Sequence, residues 1–192
     1  MRSDKLTKYE GKAFISCSLR EEDKDFVNGI EKIVRSFKFE PFGTVGRHSI
    51  APRNVAEHIK ENIIKADIVV VAVTERYFQK DIKTNNEFVG FSEMLSVEMG
   101  MSYMADKPVI AFVKKGTDTG SFLSLITEYV VLKEPESDIE KNWKKITSLL
   151  NNTWKIVVKN RSKKSDSEWK GIVIGSLATY GVYQLIRRVI SK

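Results

Sequence analysis

Cysteine is nearly absent: the 192 residues contain one, Cys17. No internal disulfide can form, which fits a reducing compartment. Histidine is almost as scarce. His48 and His58, even with Cys17, give no clustered ligand spacing for zinc, so no metal centre is expected. The segment "GTVGRH" is not a G-x-G-x-x-G turn between strand and helix, so a dinucleotide held as a redox cofactor has no support. No G-x-x-x-x-G-K-[ST] loop is present. No Ser-His-Asp set is indicated, since the two histidines fall on a loop and a surface helix. The opening "MRSDKLTKYEGK" is polar and does not read as a secretory signal, so a cytoplasmic setting is expected. There is no internal repeat.

What is present is ordinary for a globular protein: 42% hydrophobic and 30% charged residues, in a length that suits one good-sized domain and an appendage. The net charge of +7 is uneven. From Lys159 onward eight Lys/Arg face two Asp/Glu, so six of the seven net charges lie in the tail. The body is nearly neutral and carries no basic stripe, and no nucleic-acid partner is expected.

Apolar strand-like runs alternate with helical periodicity. "KAFIS" (Lys12 to Ser16) reads as a buried strand, and Phe26, Ile30, Ile33 and Phe37 recur at helical spacing after it. Ser18 and Glu21 form a capping-box pattern ahead of that helix. "FEPF" is a second strand and "GTVGRHSI" a loop. Pro52 suits a first helical turn, continued by Val55, Ile59 and Ile63. "DIVVVAV" (Asp67 to Val73) is apolar throughout, as a central parallel strand should be. A long loop, Thr74 to Phe91, leads to a helix from Ser92, then to the strands "PVIAFV" and "YVVL". Ile139, Trp143, Ile146 and Leu149 mark a last helix. Five strands joined by helices imply a flavodoxin-like, doubly wound parallel sheet of order 2-1-3-4-5. Ligands of such sheets sit beyond the carboxyl ends of the strands, at the switch between the first and third. That crevice takes "SCSLR", with Ser16, Cys17, Ser18 and Arg20, and "TERYF", with Thr74 and Tyr77. Arg20 reads either as a phosphate contact or as an exposed residue of the capping turn, and Tyr77 and Phe78 either as rings that stack on a base or as packing under the long loop. Cys17 reads first as a small hydrophobe at a strand end.

The next helix raises a question of chemistry. In "SEMLSVEMGMSYM", Met94, Val97, Met101 and Met104 fall at helical steps and read as the core stripe. Glu98 lies about 100° round from Val97 and so borders that buried face. A carboxylate beside a core stripe is costly unless it is paired or used. Gly100, mid-helix, suggests close approach of another group.

The order of segments resembles the Toll/interleukin-1 receptor (TIR) domain family. "FISCSLREEDKDFV" resembles the family's first strand and acidic loop, and "GRHSIAPRNVAEHIKENIIKADIVVVAVTERYF" its second loop, second helix and third strand. The family's Ser-x-Trp-Cys-x-x-Glu motif aligns without a gap on Ser92 to Glu98. Ser92 and Glu98 match, while Met94 and Leu95 stand at the tryptophan and cysteine positions. The resemblance spans residues 10 to 135. It implies that Glu98 cleaves the nicotinamide–ribose bond of NAD as substrate, by hydrolysis or cyclisation, with Ser92 and Met94 beside it. It implies that the loop from Gly43 to Ile50, with Arg47, flanks the substrate and takes part in self-association, and that the protein serves antiviral or immune defence. The chemistry is coherent, because nicotinamide leaves as a neutral base from a cationic ring and needs no general acid. One carboxylate can then stabilise an oxocarbenium-like transition state. Two other readings stand beside it: a TIR scaffold without turnover, and a nucleoside deoxyribosyltransferase-like N-glycosidase, which "ADIVVV" and "SVEMGMSYMADKPVI" also resemble.

The chain therefore divides into a TIR-like domain (10–158), a basic linker (159–170) and an apolar C-terminal segment (171–190). The run "GIVIGSLATYGVYQLI", Gly171 to Ile186, is uncharged but shorter than the roughly 20 residues of a spanning helix. Gly171, Gly175 and Ala178 give it a small-residue face. It reads as a membrane anchor, as an oligomerisation or partner helix, or as a helix packed on the body. The polar linker argues against the last.

Overall fold

The computed structural model describes residues 9–50 and 54–164. Its centre is β3 (Ile68–Val73), six apolar residues that are all buried. β1 (Gly11–Cys17) pairs with it in parallel on one side, and β6 (Val109–Lys114) on the other. β2 (Phe39–Phe42) and β7 (Tyr129–Leu132) close the edges, giving a five-stranded parallel sheet of order β2-β1-β3-β6-β7. This is the expected flavodoxin-like α/β architecture, with the five sheet strands in the expected order.

The sheet separates two cores. Ala13 and Ile15 face the layer of α1 (Lys24–Ser36) and α5 (Pro135–Lys164), whereas Phe14 joins Ile59, Ile63, Leu95 and Met99 on the opposite face. That second layer holds α2 (Val55–Lys65) and α3 (Glu93–Met104), with the short α4 (Gly120–Ile126) beside them. Side chains alternate along a strand, so Ser16 falls on the same side as Phe14, under α3. Gly29 lets α1 meet the start of α5 closely, since a Cβ there would lie 2.5 Å from Cβ of Pro135.

Four local expectations are corrected. The stretch from Thr74 to Phe91 is not all loop: β4 (Tyr77–Lys80) and β5 (Glu87–Gly90) pair as an antiparallel hairpin. The Ser18–Glu21 capping box does not form. A 3-10 turn (Glu21–Asp23) precedes α1, and the Ser18 hydroxyl instead accepts from the Arg20 backbone N–H at 3.2 Å. α2 begins at Val55, capped by Asn54, whose side chain accepts from the Glu57 N–H at 3.1 Å. Pro52 thus precedes the helix and lies outside the described residues. Finally, α5 runs on to Lys164, so residues 159–164 of the expected linker are helical. Arg161 ties this end to the sheet's lower edge, bonding Asp67 at 3.0 and 2.6 Å and the Glu10 carbonyl at 3.0 Å. The apolar segment 171–190 and the rest of the linker lie outside the described residues.

Candidate active site

α3 is apolar on two sides, and its phase in the fold differs from the expected one. The buried stripe is Leu95, Glu98, Met99 and Ser102, at the i, i+3, i+4, i+7 spacing of a core face. Met94, Val97 and Met104, expected in the core, are 45%, 49% and 81% exposed. Gly100 also lacks the expected close neighbour, because a Cβ built on it would meet nothing within 4 Å. Glu98 therefore does not border the buried face. It lies within it, 8% exposed.

Ser16, at the carboxyl end of β1, donates its hydroxyl hydrogen to Oε2 of Glu98. The Ser102 hydroxyl bonds the Glu98 carbonyl at 2.6 Å, one turn on. Burial pushes the Glu98 carboxyl up to about 7, against the opposing effect of the Ser16 bond. A carboxyl so placed is shared between its two protonation states near neutrality. Burial, a strand-end partner and a raised titration together mark Glu98 as a candidate functional carboxylate.

Other expected residues gather near it in different ways. Cys17 leans on the α1 side, packed against that core. Burial pushes its thiol up to about 12; the Arg47 charge lowers it, while Glu31, Glu98 and Asp23 raise it. The thiol therefore stays protonated at neutral pH and is no nucleophile. Thr74 is buried at the end of β3. Ser92 precedes α3 as its N-cap without a side-chain cap bond. Arg20 does join the two crevice segments, since its Nη2 donates to the Glu75 carbonyl. The same guanidinium forks onto Asp23 at 3.0 and 2.8 Å and reaches Glu22 at 3.3 Å. It is therefore an internal pin, with most of its donors in use. Arg47 is likewise engaged, donating to Glu31 and Asn28 at 2.5 Å each, and His48 Nε2 lies 3.0 Å from Glu31. Burial would raise the Glu31 carboxyl, but the hydrogen bonds and charges of His48 and Arg47 outweigh it and hold it low. The loop from Gly43 to Ile50 is thus anchored on α1. Thr44 ties the same loop to β1 by donating to the Ile15 carbonyl. Tyr77 is partly exposed on the hairpin with the Arg76 guanidinium 5.7 Å from its ring centre, and Phe78 is largely exposed and packs under nothing.

The sequence reading missed Asp23. It is buried, holds the Arg20 fork, and has the Lys114 ammonium at 3.9 Å from its other oxygen. Nothing in the run "REEDKD" distinguishes it from its exposed neighbours. Among the described residues no group of three or more His, Cys, Asp or Glu could hold a metal. Two clefts of about 670 and 720 Å³ lie elsewhere, one between Tyr103, Lys107 and Ile156, the other between Phe26, Lys32 and Lys133. Glu98 lines neither of these two.

No family model matches the chain, and no curated protein matches it. Among solved structures, the CMP N-glycosidase BcmB of Clostridium botulinum is similar at 12% identity and a TM-score of 0.43, over 68% of this chain and 95% of that one. At that identity and score no residue role passes from one chain to the other.

Proposed function

We propose that the protein is an N-glycosidase of a nucleotide, with Glu98 as its catalytic carboxylate and NAD as the substrate that best suits a single carboxylate. The supporting observation is the buried Glu98 side chain, bonded by Ser16 at the end of β1 and poised near neutrality. In its ionised form it faces the developing positive charge of the ribose as the base departs. A departing nicotinamide takes the bonding electron pair and becomes neutral, so no acid is required. Water, or a group of the substrate itself, completes the reaction. Ser16 orients the carboxylate and favours its charged form. The burial of Glu98 fits a resting state that opens when copies assemble. A role in defence against viruses follows from the TIR resemblance. The test is to incubate concentrated protein with NAD and measure free nicotinamide. Release by wild type and its loss in Glu98→Gln support the reading; equal release by both rejects it.

A second reading is favoured by the state of the arginines. Arg20, expected to meet a phosphate, and Arg47, expected to flank the substrate, are both engaged internally. A nucleoside or mononucleotide needs fewer cations, and Glu98 would then attack or stabilise its sugar. Release of a free base from such a substrate, with NAD untouched, selects this reading. If the chain cleaves none of them, it is a scaffold.

A further inference from the structure

The cleft of about 670 Å³ lies at the other end of the sheet from Ser16 and Glu98. It sits by the starts of β6 and β7, where the ends of α3 and α4 come beside the middle of α5. Its floor is apolar: Val109, Ile126 and Leu149 are partly buried there and pack against the two cores. Its rim is polar and basic. Lys144 and Lys145 stand on α5, with Ser148 and Asn152 one and two turns further on. Positions 144, 148 and 152 recur every four residues and so share one side of the helix. Among the described residues, none of these four side chains takes part in an ion pair or a hydrogen bond. Lys107, whose ammonium bonds the carbonyls of Ala66 and Ile64, adds a third positive charge, and Glu128 is the single carboxylate of the lining. Three lysines thus face one glutamate, and the cleft is electropositive in a body that is nearly neutral. Tyr103, at the end of α3, is 65% exposed and stands beside the opening. An open aromatic ring of this kind offers a stacking face and a hydroxyl.

We infer that this cleft binds a small anion carrying a planar ring, of the mononucleotide class, at a site separate from Glu98. Its volume falls within the roughly 300–1,000 Å³ of small-molecule pockets, which combine apolar walls with a few convergent polar groups. The phosphate meets the ammonium groups of Lys144 and Lys145, which nothing else compensates. The ring lies between Tyr103 and the apolar floor, and Ser148 and Asn152 bond its polar edge or the sugar. Inorganic phosphate uses the lysines alone, and an uncharged nucleoside the ring and floor alone, so affinity needs both halves in one molecule. The inference does not depend on the activity proposed above, because the cleft contains none of the residues assigned to it.

The test titrates the full chain separately with AMP, adenosine and inorganic phosphate. Calorimetry gives the affinities and hydrogen exchange locates the bound molecule. AMP is expected to bind at least about tenfold more tightly than either of its parts, with protection in peptides covering 103–109 and 144–156. Joint replacement Lys144→Gln and Lys145→Gln, both at exposed positions, should weaken AMP at least about tenfold. Lys155→Gln removes the same charge from an exposed position of α5 outside the cleft and should leave the affinity unchanged. Failure of AMP to bind at millimolar concentration would overturn the inference. So would an equal affinity for inorganic phosphate, protection confined to peptides around Ser16 and Glu98, or an equal loss in Lys155→Gln.

Discussion

Glu98 titrates at about 7 in the folded chain against an ordinary 4.5, chiefly through burial. Between those values the folded protein holds a proton that the unfolded chain has released. Stability therefore falls as pH rises from 4.5 to 7, by roughly 3 kcal/mol in all. Glu98→Gln removes that loss. Its melting temperature is expected to exceed that of wild type at pH 8, and the gap is expected to close near pH 4.5. A gap that ignores pH would mean a solvated carboxyl. If Glu98 acts as proposed, the reaction needs its ionised form, and the rate should climb with pH through about 7 and then level. Ser16→Ala takes away the hydrogen bond that opposes the shift. The acid limb of its pH–rate profile should move to higher pH, a displacement that a purely structural serine would not cause. Arg47→Ala deprives the mostly buried Glu31 of its nearer guanidinium partner, leaving Arg35 at 3.8 Å. It should lower stability by about 1–3 kcal/mol in denaturant unfolding at pH 7. The loss should shrink as acid protonates Glu31, whose bonds from His48 and Arg47 stabilise the fold only while it is charged.

At the scale of elements, α3 decides most. Apolar residues lie on both its sides, so the sequence offers two stripes at helical spacing, and one of them holds a glutamate and a serine. Pattern reading favours the stripe free of polar groups. The fold buries the other: Leu95 and Met99 join the core of Phe14 and Ile63, and Glu98 on the same stripe meets Ser16 at the strand end. Met99→Ala should therefore cost about 2–5 kcal/mol, and Met94→Ala no more than about 0.5 kcal/mol. The reverse order in urea unfolding would restore the expected phase. The sheet strands were legible because each is a short apolar run that must be covered on both faces, as in β3. The β4–β5 hairpin was not, since β4 is exposed throughout and lacks an apolar face to read. The helical extension to Lys164 was hidden by its basic composition, which a solvated helix tolerates as well as a linker does.

At the scale of the whole molecule, the switch between β1 and β3 places Ser16, Thr74 and Glu98 at one end of the sheet, as the alternating pattern implied. What the sequence did not reveal is how firmly that end is closed. The Arg20–Asp23–Glu75 pin and the Arg47–Glu31 anchor join segments distant in the chain, and charged runs do not announce their partners. If assembly opens the site, nicotinamide release per molecule should rise with protein concentration, and a flat dependence would show that single chains act. Underlying all of this is the role of Glu98, which one measurement addresses most directly. Wild type and Glu98→Gln are incubated at equal, high concentration with NAD at pH 8, and freed nicotinamide is followed by proton NMR. Steady release by the wild type, with a loss of at least roughly 100-fold in the variant, is the predicted result. Undiminished release by the variant would contradict it.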